Sequence, residues 1–291
     1  MDVRFEGVSH VYGAGTPFAR PALSSVTVSI AAGSVVALLG RSGSGKTTFA
    51  QLAAGLERPT AGRVIVGGAE SSAERRLPPD VRRRIGAVLQ HPEHQLFEET
   101  VGRDVGFALR RRGVPPDEVE RRARAALFSV GLDPEAYFAR SPFRLSGGEK
   151  RRAAIAGVLV YEPELVVFDE PTAGLDPEAR ERLIEHLEAV FRRRRPTVLY
   201  VTHRIDEAIR LADRVLLFDA GRLAADVTPA ELLRRFEAYR RFGLRPSPFI
   251  RALFAVGRRA PDVWDDPPRT PAALADWLAA RLGGGRKGAR P

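Results

Sequence analysis

The sequence has no cysteine among its 291 residues, and it has no long apolar run. The absence of cysteine excludes a disulfide framework, a thiolate metal site and a cysteine nucleophile. The longest apolar stretches, around Val35–Leu39 and Ala153–Tyr161, are far shorter than the roughly 20 residues that a membrane helix needs. The first residues, MDVRFEGVSH, are interrupted by charges and do not resemble a secretory signal. We therefore expect a soluble, cytoplasmic protein that touches a membrane only from outside.

Lysine is scarce as well, since only Lys46, Lys150 and Lys287 occur, and arginine supplies most of the positive charge. The formal net charge is +10, and residues 221–291 contribute +7 of it through 14 basic and 7 acidic side chains. This asymmetry has two interpretations. One is an anionic partner, a lipid surface or nucleic acid, for the C-terminal part; the other is an arginine-rich surface that is simply solvated.

Short β-branched runs alternate with helical patterns along most of the chain. Val35–Leu39, Leu165–Phe168 and Val198–Val201 are unbroken apolar runs, which is typical of parallel strands covered on both faces. Strands interleaved with helices predict an α/β fold with a largely parallel sheet. The predicted parts are a main domain (1–220) that contains a helical subdomain (about 91–160), an accessory domain of helices (221–282) and a flexible tail (283–291).

A glycine-rich segment follows the run Val35–Leu39 and precedes a helical pattern. It fits GxxxxGK[ST] in the strand–loop–helix context that this phosphate-binding loop requires. Its glycines let backbone N–H groups surround phosphate oxygens, and the helix N-terminus adds positive potential. Lysine can reach the β- and γ-phosphates, and the hydroxyl that follows it can bind Mg²⁺. The predicted nucleotide-binding residues of this loop are Gly40, Arg41, Ser42, Gly43, Ser44, Gly45, Lys46, Thr47 and Thr48.

Two carboxylates, Asp169 and Glu170, follow the apolar run Leu165–Phe168. Beside a phosphate-binding loop, the first can hold Mg²⁺ and the second can orient and deprotonate the attacking water. His203 follows another predicted strand, and open α/β sheets bind ligands at the carboxyl ends of their strands. His203 is therefore a candidate contact for the γ-phosphate and the attacking water.

The segment LSGGE, Leu145 to Glu149, precedes a second helical pattern. A hydroxyl, two glycines and a helix start form a second anion-binding device. Because one such device suffices for the chain's own nucleotide, we infer that this one serves the nucleotide of another subunit. Taken alone, the segment would be an ordinary capped helix.

Together these motifs resemble the ATPase subunits of ATP-binding cassette (ABC) transporters, over about residues 3–225. The glycine-rich loop, Gln90, LSGGE, LVVFDEP, the segment around Asp176 and His203 occur in that family's order. The resemblance implies a P-loop ABC cassette with a mainly parallel core sheet, an antiparallel β subdomain, a helical subdomain and a small C-terminal accessory domain.

Other segments are similar to one branch, the energy-coupling factor (ECF) ATPases. They are GTPF shortly after Tyr12, QHPEHQLFEETV from Gln90, and Ser141–Phe143 before the LSGGE segment. The last two are most similar to the second of the two usual ATPase types in that branch. This resemblance favours a heterodimer, although two copies of the chain remain the alternative.

The resemblance implies a role for each motif residue. Tyr12 stacks on adenine, Gln90 links the metal to the membrane partner, Glu170 is the general base and His203 is the γ-phosphate switch. Two ATP molecules are enclosed between two ATPase subunits, and closing and reopening this dimer moves the membrane partner. The remaining implied groups are Thr47, Gln90 and Asp169 for Mg²⁺, and Ser146, Gly147, Gly148, Glu149 and Asp176 for the ATP of the opposite subunit.

Glu149 departs from the family pattern, which more often has glutamine at this position. A carboxylate in the first helical turn is favoured by the helix dipole, by roughly 0.3–1 kcal/mol. It can accept hydrogen bonds from ribose hydroxyls but cannot donate one. We therefore expect the change to be tolerated and activity to survive.

Glu98, Glu99 and Asp104 form an acidic segment in a basic protein, and Phe97 precedes them in the same predicted groove. The resemblance implies that a groove here receives a coupling helix, bearing an arginine, from the membrane scaffold. An arginine–carboxylate pair in such a groove can be bidentate and directional. The alternative is a solvated acidic helix start that is favoured by the dipole alone.

The implied function is ATP hydrolysis, with ATP and Mg²⁺ as cofactors, that powers uptake of a vitamin or a transition-metal ion through an ECF-type transporter. The expected partners are a second ATPase subunit (a paralogue or a second copy), a transmembrane scaffold and a small membrane substrate-binding subunit. The alternative is a soluble ABC ATPase acting on nucleic acid or ribosomes, which the net charge would suit. Against it, the chain has no long coiled-coil insertion, second cassette or aromatic–basic RNA motif.

Overall fold

The computed structural model describes residues 1–90 and 92–283. Within them the chain forms two β-sheets and a set of helices. The strands are β1 (Val3–Tyr12), β2 (Arg20–Ile30), β3 (Val35–Gly40), β4 (Ala61–Val66), β5 (Ala69–Ser72), β6 (Ile85–Val88), β7 (Leu165–Asp169), β8 (Thr197–Val201), β9 (Arg214–Asp219) and β10 (Arg222–Val227). The α-helices are α1 (Lys46–Ala53), α2 (Pro79–Arg82), α3 (Val101–Arg110), α4 (Pro116–Phe128), α5 (Pro134–Tyr137), α6 (Gly147–Leu159), α7 (Pro177–Arg194), α8 (Ile205–Leu211), α9 (Pro229–Arg234), α10 (Phe236–Tyr239), α11 (Pro248–Gly257) and α12 (Pro271–Gly283).

The core sheet has the strand order β10-β9-β3-β8-β7-β6. The strands from β9 to β6 run parallel, and β10 pairs with β9 in the antiparallel direction. Successive residues of β3 point into different apolar clusters: Val36 and Leu38 into one, Val35, Ala37 and Leu39 into the other. Because both faces are covered, the central strands are apolar throughout, as their unbroken runs predicted.

The second sheet is antiparallel, with the strand order β2-β1-β4-β5. Its apolar side chains, such as Ile30 and Val66, join those of α1 in one cluster with Val36 and other residues of the core sheet. Phe5 of β1 stacks on Phe49 of α1 with the ring centroids 4.0 Å apart. The two sheets confirm the predicted α/β class, with a mainly parallel core sheet and a separate antiparallel sheet.

Helices α3 to α6 lie between β6 and β7 in the chain, within the segment 91–160. Their buried residues, among them Val105, Ala123 and Ile155, belong to the cluster on the opposite face of the core sheet from α1. The helical nature of this segment agrees with its periodicity. Its treatment as a subdomain stays a prediction.

The segment after Gly221 differs from the prediction of helices at its start. Arg222–Val227 form β10, an edge strand of the core sheet, with exposed and half-buried residues in alternation. That alternation rests on Leu223, Ala225 and Val227 alone, a pattern too short to distinguish a strand from a helical turn. The predicted boundary at residue 221 therefore assigns a strand of the core sheet to the accessory domain.

The C-terminal helices share the apolar core of the rest of the chain. Leu232, Phe236, Ile250 and Leu253 belong to the same cluster as the residues of α3 to α6. None of the helices in the described residues is both long and apolar enough to cross a membrane. The predicted tail, 283–291, lies outside the described residues apart from Gly283 at the end of α12.

We expect core packing to make the C-terminal helices part of the cooperative fold. Leu253 on α11 is 0% exposed, whereas Leu282 on α12 is 75% exposed. Leu253→Ala should lower the free energy of unfolding by about 2–4 kcal/mol because it leaves a cavity. The control Leu282→Ala should change it by less than about 0.5 kcal/mol. Urea denaturation followed by circular dichroism measures both, and equal effects would show that these helices do not share the core.

Candidate active site

The carboxyl ends of three parallel strands bring the predicted motifs to one edge of the core sheet. β8 lies between β3 and β7, and its Val201 is opposite both Leu38 of β3 and Asp169 of β7. Gly40 follows Leu38 by two residues, and His203 follows Val201 by two. The register therefore places the glycine-rich loop, the two carboxylates and the histidine side by side, where open α/β sheets bind ligands.

The glycine-rich loop leaves β3 at Gly40 and enters α1 at Lys46. A Cβ at Gly40 would lie 2.3 Å from the carbonyl oxygen of Phe218, so that only glycine fits this close approach. Arg41 and Ser42 are exposed at the tip. The loop is thus tightly packed at its base and open toward solvent where a phosphate would bind.

The Lys46 side chain holds the first residues of this loop through hydrogen bonds to their carbonyl groups. Its Nζ donates to the carbonyl oxygens of Gly40 at 2.9 Å and Arg41 at 2.8 Å. Lys46 is 7% exposed, and burial lowers the pKa of its amine, an effect that the charges of Glu170 and Asp169 oppose. The site therefore combines a buried cation with an exposed loop, as a phosphate cradle requires.

Thr47 and Asp169 bring a hydroxyl and a carboxylate together behind the loop. Thr47 Oγ1 donates to Asp169 Oδ1 at 3.4 Å. Asp169 is 3% exposed, and burial raises the pKa of its carboxyl group. Hydroxyl and carboxylate oxygens are ligands that Mg²⁺ accepts, and a bound cation would favour the ionised carboxylate. The pair fits the predicted Mg²⁺ site.

Glu170 adopts the left-handed conformation, with φ +51°. Such a backbone costs a residue other than glycine about 1–3 kcal/mol. Two hydrogen bonds hold it: the Glu170 N–H donates to Val201 O at 3.0 Å, and the Ala173 N–H donates to Glu170 O at 3.1 Å. The resulting turn brings Glu170 Oε1 to 3.4 Å from His203 Nδ1. The predicted base and the predicted switch therefore lie next to each other.

Tyr12, at the end of β1, is anchored beside the start of α1. Its hydroxyl hydrogen-bonds to Thr48 Oγ1 at 3.1 Å and donates to Gln51 Oε1 at 3.0 Å. The residue is 38% exposed, which leaves ring surface open next to the loop. Gln90, two residues after the end of β6, is also exposed. The contacts predicted for Tyr12 with adenine and for Gln90 with the metal stay predictions.

The LSGGE segment caps α6. Ser146 Oγ accepts from the Glu149 N–H at 3.3 Å, and Glu149 Oε2 accepts from the Ser146 N–H at 2.7 Å, so that the two residues form a capping box. Ser146 and Gly147 are exposed, and a Cβ at Gly147 would meet no described atom within 4 Å. In the described part of the chain nothing requires a glycine there. Gly148 packs more closely, since its Cβ would lie 3.1 Å from Leu175 Cδ2.

Asp176 is the exposed N-cap of α7. Its Oδ1 accepts from the Ala179 N–H at 2.8 Å, and this backbone hydrogen bond lowers the pKa of the carboxyl group. In the residues that the structure describes, no hydrogen bond or ion pair joins Asp176 or the LSGGE segment to the glycine-rich loop. One chain therefore presents the predicted site in two separate parts.

The acidic segment before α3 is largely neutralised within the chain. Glu98 Oε1 pairs with Arg110 Nη2 at 2.6 Å. Asp104 Oδ2 accepts from the N–H groups of Phe97 and Glu98, each at 2.9 Å, and burial raises the pKa of its carboxyl group. The Glu99 side chain is 83% exposed. Asp104 thus holds the backbone that precedes α3, and Glu99, although it pairs with Arg103 Nη1 at 3.3 Å, is the most exposed carboxylate of the segment.

Sequence reasoning missed Glu207, a carboxylate buried behind the site. It is 1% exposed and accepts hydrogen bonds from Thr172 at 2.7 Å, Thr202 at 2.9 Å and Tyr200 at 3.1 Å. Burial raises the pKa of its carboxyl group. These bonds connect the end of β8, next to His203, with the loop that follows Glu170. The sequence feature that could have indicated its burial is that Glu207 lies among apolar residues in a short helix, α8.

Sequence reasoning also missed Arg151, a buried arginine in α6. It is 6% exposed, its guanidinium donates to the Ala173 carbonyl, and its Nη2 lies 3.1 Å from Glu93 Oε2. Arg151 therefore connects the first turns of α6 with the segment after Gln90 and with the loop after Glu170. Arg151 lies in the charged run Glu149–Arg152, and the sequence gives no signal that this one of the four is buried.

We expect Glu207 to hold the active-site loops in place. Glu207→Ala leaves three hydroxyls without their acceptor, which should lower the free energy of unfolding by about 2–4 kcal/mol. ATP turnover should fall by roughly tenfold or more, because Thr202 beside His203 loses its anchor. Urea denaturation and a phosphate-release assay measure these effects. Glu185→Ala, at an exposed glutamate of α7, is the control, and a Glu207 variant that behaves like it would contradict this role.

Comparison with known proteins agrees with this geometry. A family profile described as ABC transporter matches residues 23–173, which include the glycine-rich loop, the LSGGE segment and Glu170. A dimeric ATP-binding cassette solved with ADP and inorganic phosphate is 28% identical and superimposes with a TM-score of 0.70, covering 78% of this chain and 98% of its own. Fold and site together define an ABC cassette that hydrolyses ATP.

Other similar proteins indicate which group of ABC ATPases the chain resembles. The ECF transporter ATP-binding protein EcfA2 of Symbiobacterium thermophilum is 44% identical over 291 residues, 99% of each chain. The protein of the same name from Geobacillus kaustophilus is 45% identical over 247 residues, 84% of each chain. The solved structure of cbiO1 from Clostridium perfringens, part of the ABC transporter complex cbiONQ, has a TM-score of 0.71 at 31% identity, covering 90% of this chain and 97% of its own.

The chain therefore belongs to the ECF transporter ATP-binding proteins of the ABC transporter family. The resemblance that the motifs indicated is confirmed, and so are the fold class and the ATPase activity. The alternative of an ATPase acting on nucleic acid or ribosomes finds no support among these relatives.

Proposed function

We propose that this chain is the ATP-hydrolysing subunit of a membrane transporter that takes up a vitamin or a transition-metal ion, and that it lies on the cytoplasmic face of the membrane. The main support is that the strand register brings the glycine-rich loop, Asp169, Glu170 and His203 to the same edge of the core sheet. The relatives named as ECF transporter ATP-binding proteins support the assignment to transport.

In this proposal each of these groups has a defined part in hydrolysis. The backbone N–H groups of the glycine-rich loop and the Lys46 ammonium hold the β- and γ-phosphates. Thr47, Asp169 and Gln90 would hold Mg²⁺, which neutralises phosphate charge when it is bound. Glu170 orients the attacking water and accepts its proton. His203, next to Glu170, contacts the γ-phosphate and so links the base to the reacting group.

A second subunit completes the nucleotide site. Ser146 and the backbone N–H groups of Gly147 and Gly148 would bind the γ-phosphate of ATP held by the opposite subunit, with Asp176 at the same interface. The exposure of Ser146, Gly147 and Asp176 and the open space at Gly147 support this assignment. The partner is a paralogue or a second copy of this chain.

The membrane scaffold docks, in this proposal, at a cavity between α3 and α6. The cavity has a volume of about 190 Å³, and its apolar lining includes Phe97, Phe107 and Gly157. The two phenylalanine rings meet edge to face, 5.0 Å between centroids, and are 59% and 38% exposed. Glu99, two residues after Phe97, has an exposed carboxylate that pairs with Arg103, and the arginine of a coupling helix would compete for it. A small membrane subunit that binds the substrate would complete the complex.

The role of Glu170 as the general base has a direct test. Glu170→Gln should bind ATP like the parent, should accumulate as an ATP-bound dimer, and should turn over roughly 10²–10⁴ times more slowly. Nucleotide binding, light scattering and phosphate release measure the three properties. Glu185→Gln, which removes the same charge from an exposed position on α7, is the control. Hydrolysis at the parent rate by Glu170→Gln would contradict the assignment.

Docking at the α3–α6 cavity has a separate test. Phe97→Ser combined with Glu99→Arg should reduce recovery of the detergent-solubilised membrane partner by about tenfold or more, since an exposed aromatic anchor and the accessible acid are both lost. ATP binding should stay unchanged, because the contacts of Phe97 with Phe107 and Asp104 and of Glu99 with Arg103 do not involve the glycine-rich loop. Glu135→Arg, at a glutamate of α5 whose side chain is 84% exposed, is the control. Equal recovery by all three proteins would exclude this docking surface.

A further inference from the structure

Glu149 is held by its own chain at both carboxylate oxygens. The Tyr137 hydroxyl, at the end of α5, donates to Oε1 at 2.5 Å, and the Ser146 N–H donates to Oε2 at 2.7 Å. The hydrogen bond from Tyr137 holds the pKa of the Glu149 carboxyl group below its usual range. The side chain is therefore ionised at neutral pH and fixed in one orientation.

This fixed charge opposes the dipole of α6. A helix N-terminus carries about +0.5 of an elementary charge, which attracts anions, and a full negative charge in the first turn cancels that attraction. Lys150 is the next residue in the chain, and Arg152 donates to the carbonyl of Gly131 at 3.0 Å while its charge helps to lower the pKa of Glu149. Neither forms an ion pair with Glu149 among the described residues, so the carboxylate is not neutralised by direct contact with a cation. The capping box thus stabilises the helix at the expense of its affinity for a phosphate.

We propose that the Tyr137–Glu149 pair sets how tightly this chain's LSGGE segment binds ATP held by the opposite subunit, by fixing a negative charge where α6 begins. The inference rests on the proposed function, in which the segment completes the other subunit's site. The ATP-bound dimer closes at higher ATP concentration and reopens sooner than it would with a neutral residue at this position. Tyr137 is a positioning residue that acts only through the carboxylate.

The test uses the full chain with Glu170→Gln as the background, so that binding is read without turnover. Light scattering gives the ATP concentration for half-maximal dimer formation in the presence of Mg²⁺. Adding Glu149→Gln should lower that concentration by roughly 3- to 10-fold. The gain should shrink when NaCl is raised from about 0.05 M to about 0.5 M, because salt screens the charge.

A second capping box in the same chain provides the matched control. Thr228 and Glu231 make the same pair of hydrogen bonds at the start of α9. Glu231→Gln removes the same charge from the same motif and keeps an oxygen acceptor, but its helix has no part in the proposed ATP site. It should leave the half-maximal ATP concentration unchanged.

Tyr137→Phe distinguishes positioning from a general structural role. Freed from the hydroxyl, the carboxylate can turn toward solvent, so that the half-maximal ATP concentration should fall, but by less than with Glu149→Gln. Adding Tyr137→Phe to Glu149→Gln should then change nothing, because the target of the hydroxyl is already neutral. Weaker dimers in both backgrounds would show a structural role and overturn the positioning claim.

The outcomes separate this inference from the function on which it rests. If the dimer forms at the same ATP concentration with glutamate and with glutamine at position 149, the inference is wrong, but the shared ATP site is not contradicted. Failure of every variant, including the Glu170→Gln background, to form an ATP-dependent dimer contradicts the shared site itself, and the inference falls with it.

Discussion

The register of β3, β8 and β7 is the constraint on which the site depends. A shift by one residue in any of these strands would turn its side chains to the opposite face of the sheet. The two faces of β3 pack against different clusters, so a shift would exchange the side chains between them, and in the observed register Val201 lies opposite both Leu38 and Asp169. The loop, the carboxylates and the histidine acquire their proximity from this pairing, although they are distant in sequence.

Two buried charges then fix the loops that leave these strands. Glu207 gathers three hydroxyls behind His203, and Arg151 connects α6 with Glu93 and with the loop that follows Glu170. A buried charge is stable only when it is paired and hydrogen-bonded, so that each of these residues admits few arrangements of its neighbours. Through Arg151, the helix that would bind the partner's ATP is joined to the segment after Gln90.

The sequence predicted the parts of the site that are local. The glycine-rich loop, the strand that ends at Asp169 and the start of α6 each lie within a few residues and follow from turn, strand and capping rules. The parts that it could not predict depend on contacts between distant residues. The left-handed turn at Glu170 needs Val201, and the burial of Glu207 needs Thr172. The edge strand β10 was missed because its alternation is short and its pairing with β9 is a property of the sheet.

Charge in this molecule serves folding and ligand binding at once, and the two uses conflict at one place. Asp104 and Glu98 are engaged by the backbone and by arginine, whereas Glu99 makes one ion pair, with Arg103, on an 83% exposed side chain. At Glu149 one carboxylate stabilises the start of α6 and, in our proposal, weakens the binding of ATP at the LSGGE segment.

In the proposed function this cassette works as one subunit of a membrane transporter. The tagged chain can be purified from detergent-solubilised native membranes, and the proteins that accompany it identified by mass spectrometry. We expect a multi-span scaffold, a small hydrophobic binding subunit and a second copy or a paralogue of the ATPase. Recovery of ribosomal or nucleic-acid-binding proteins without any membrane protein would contradict it.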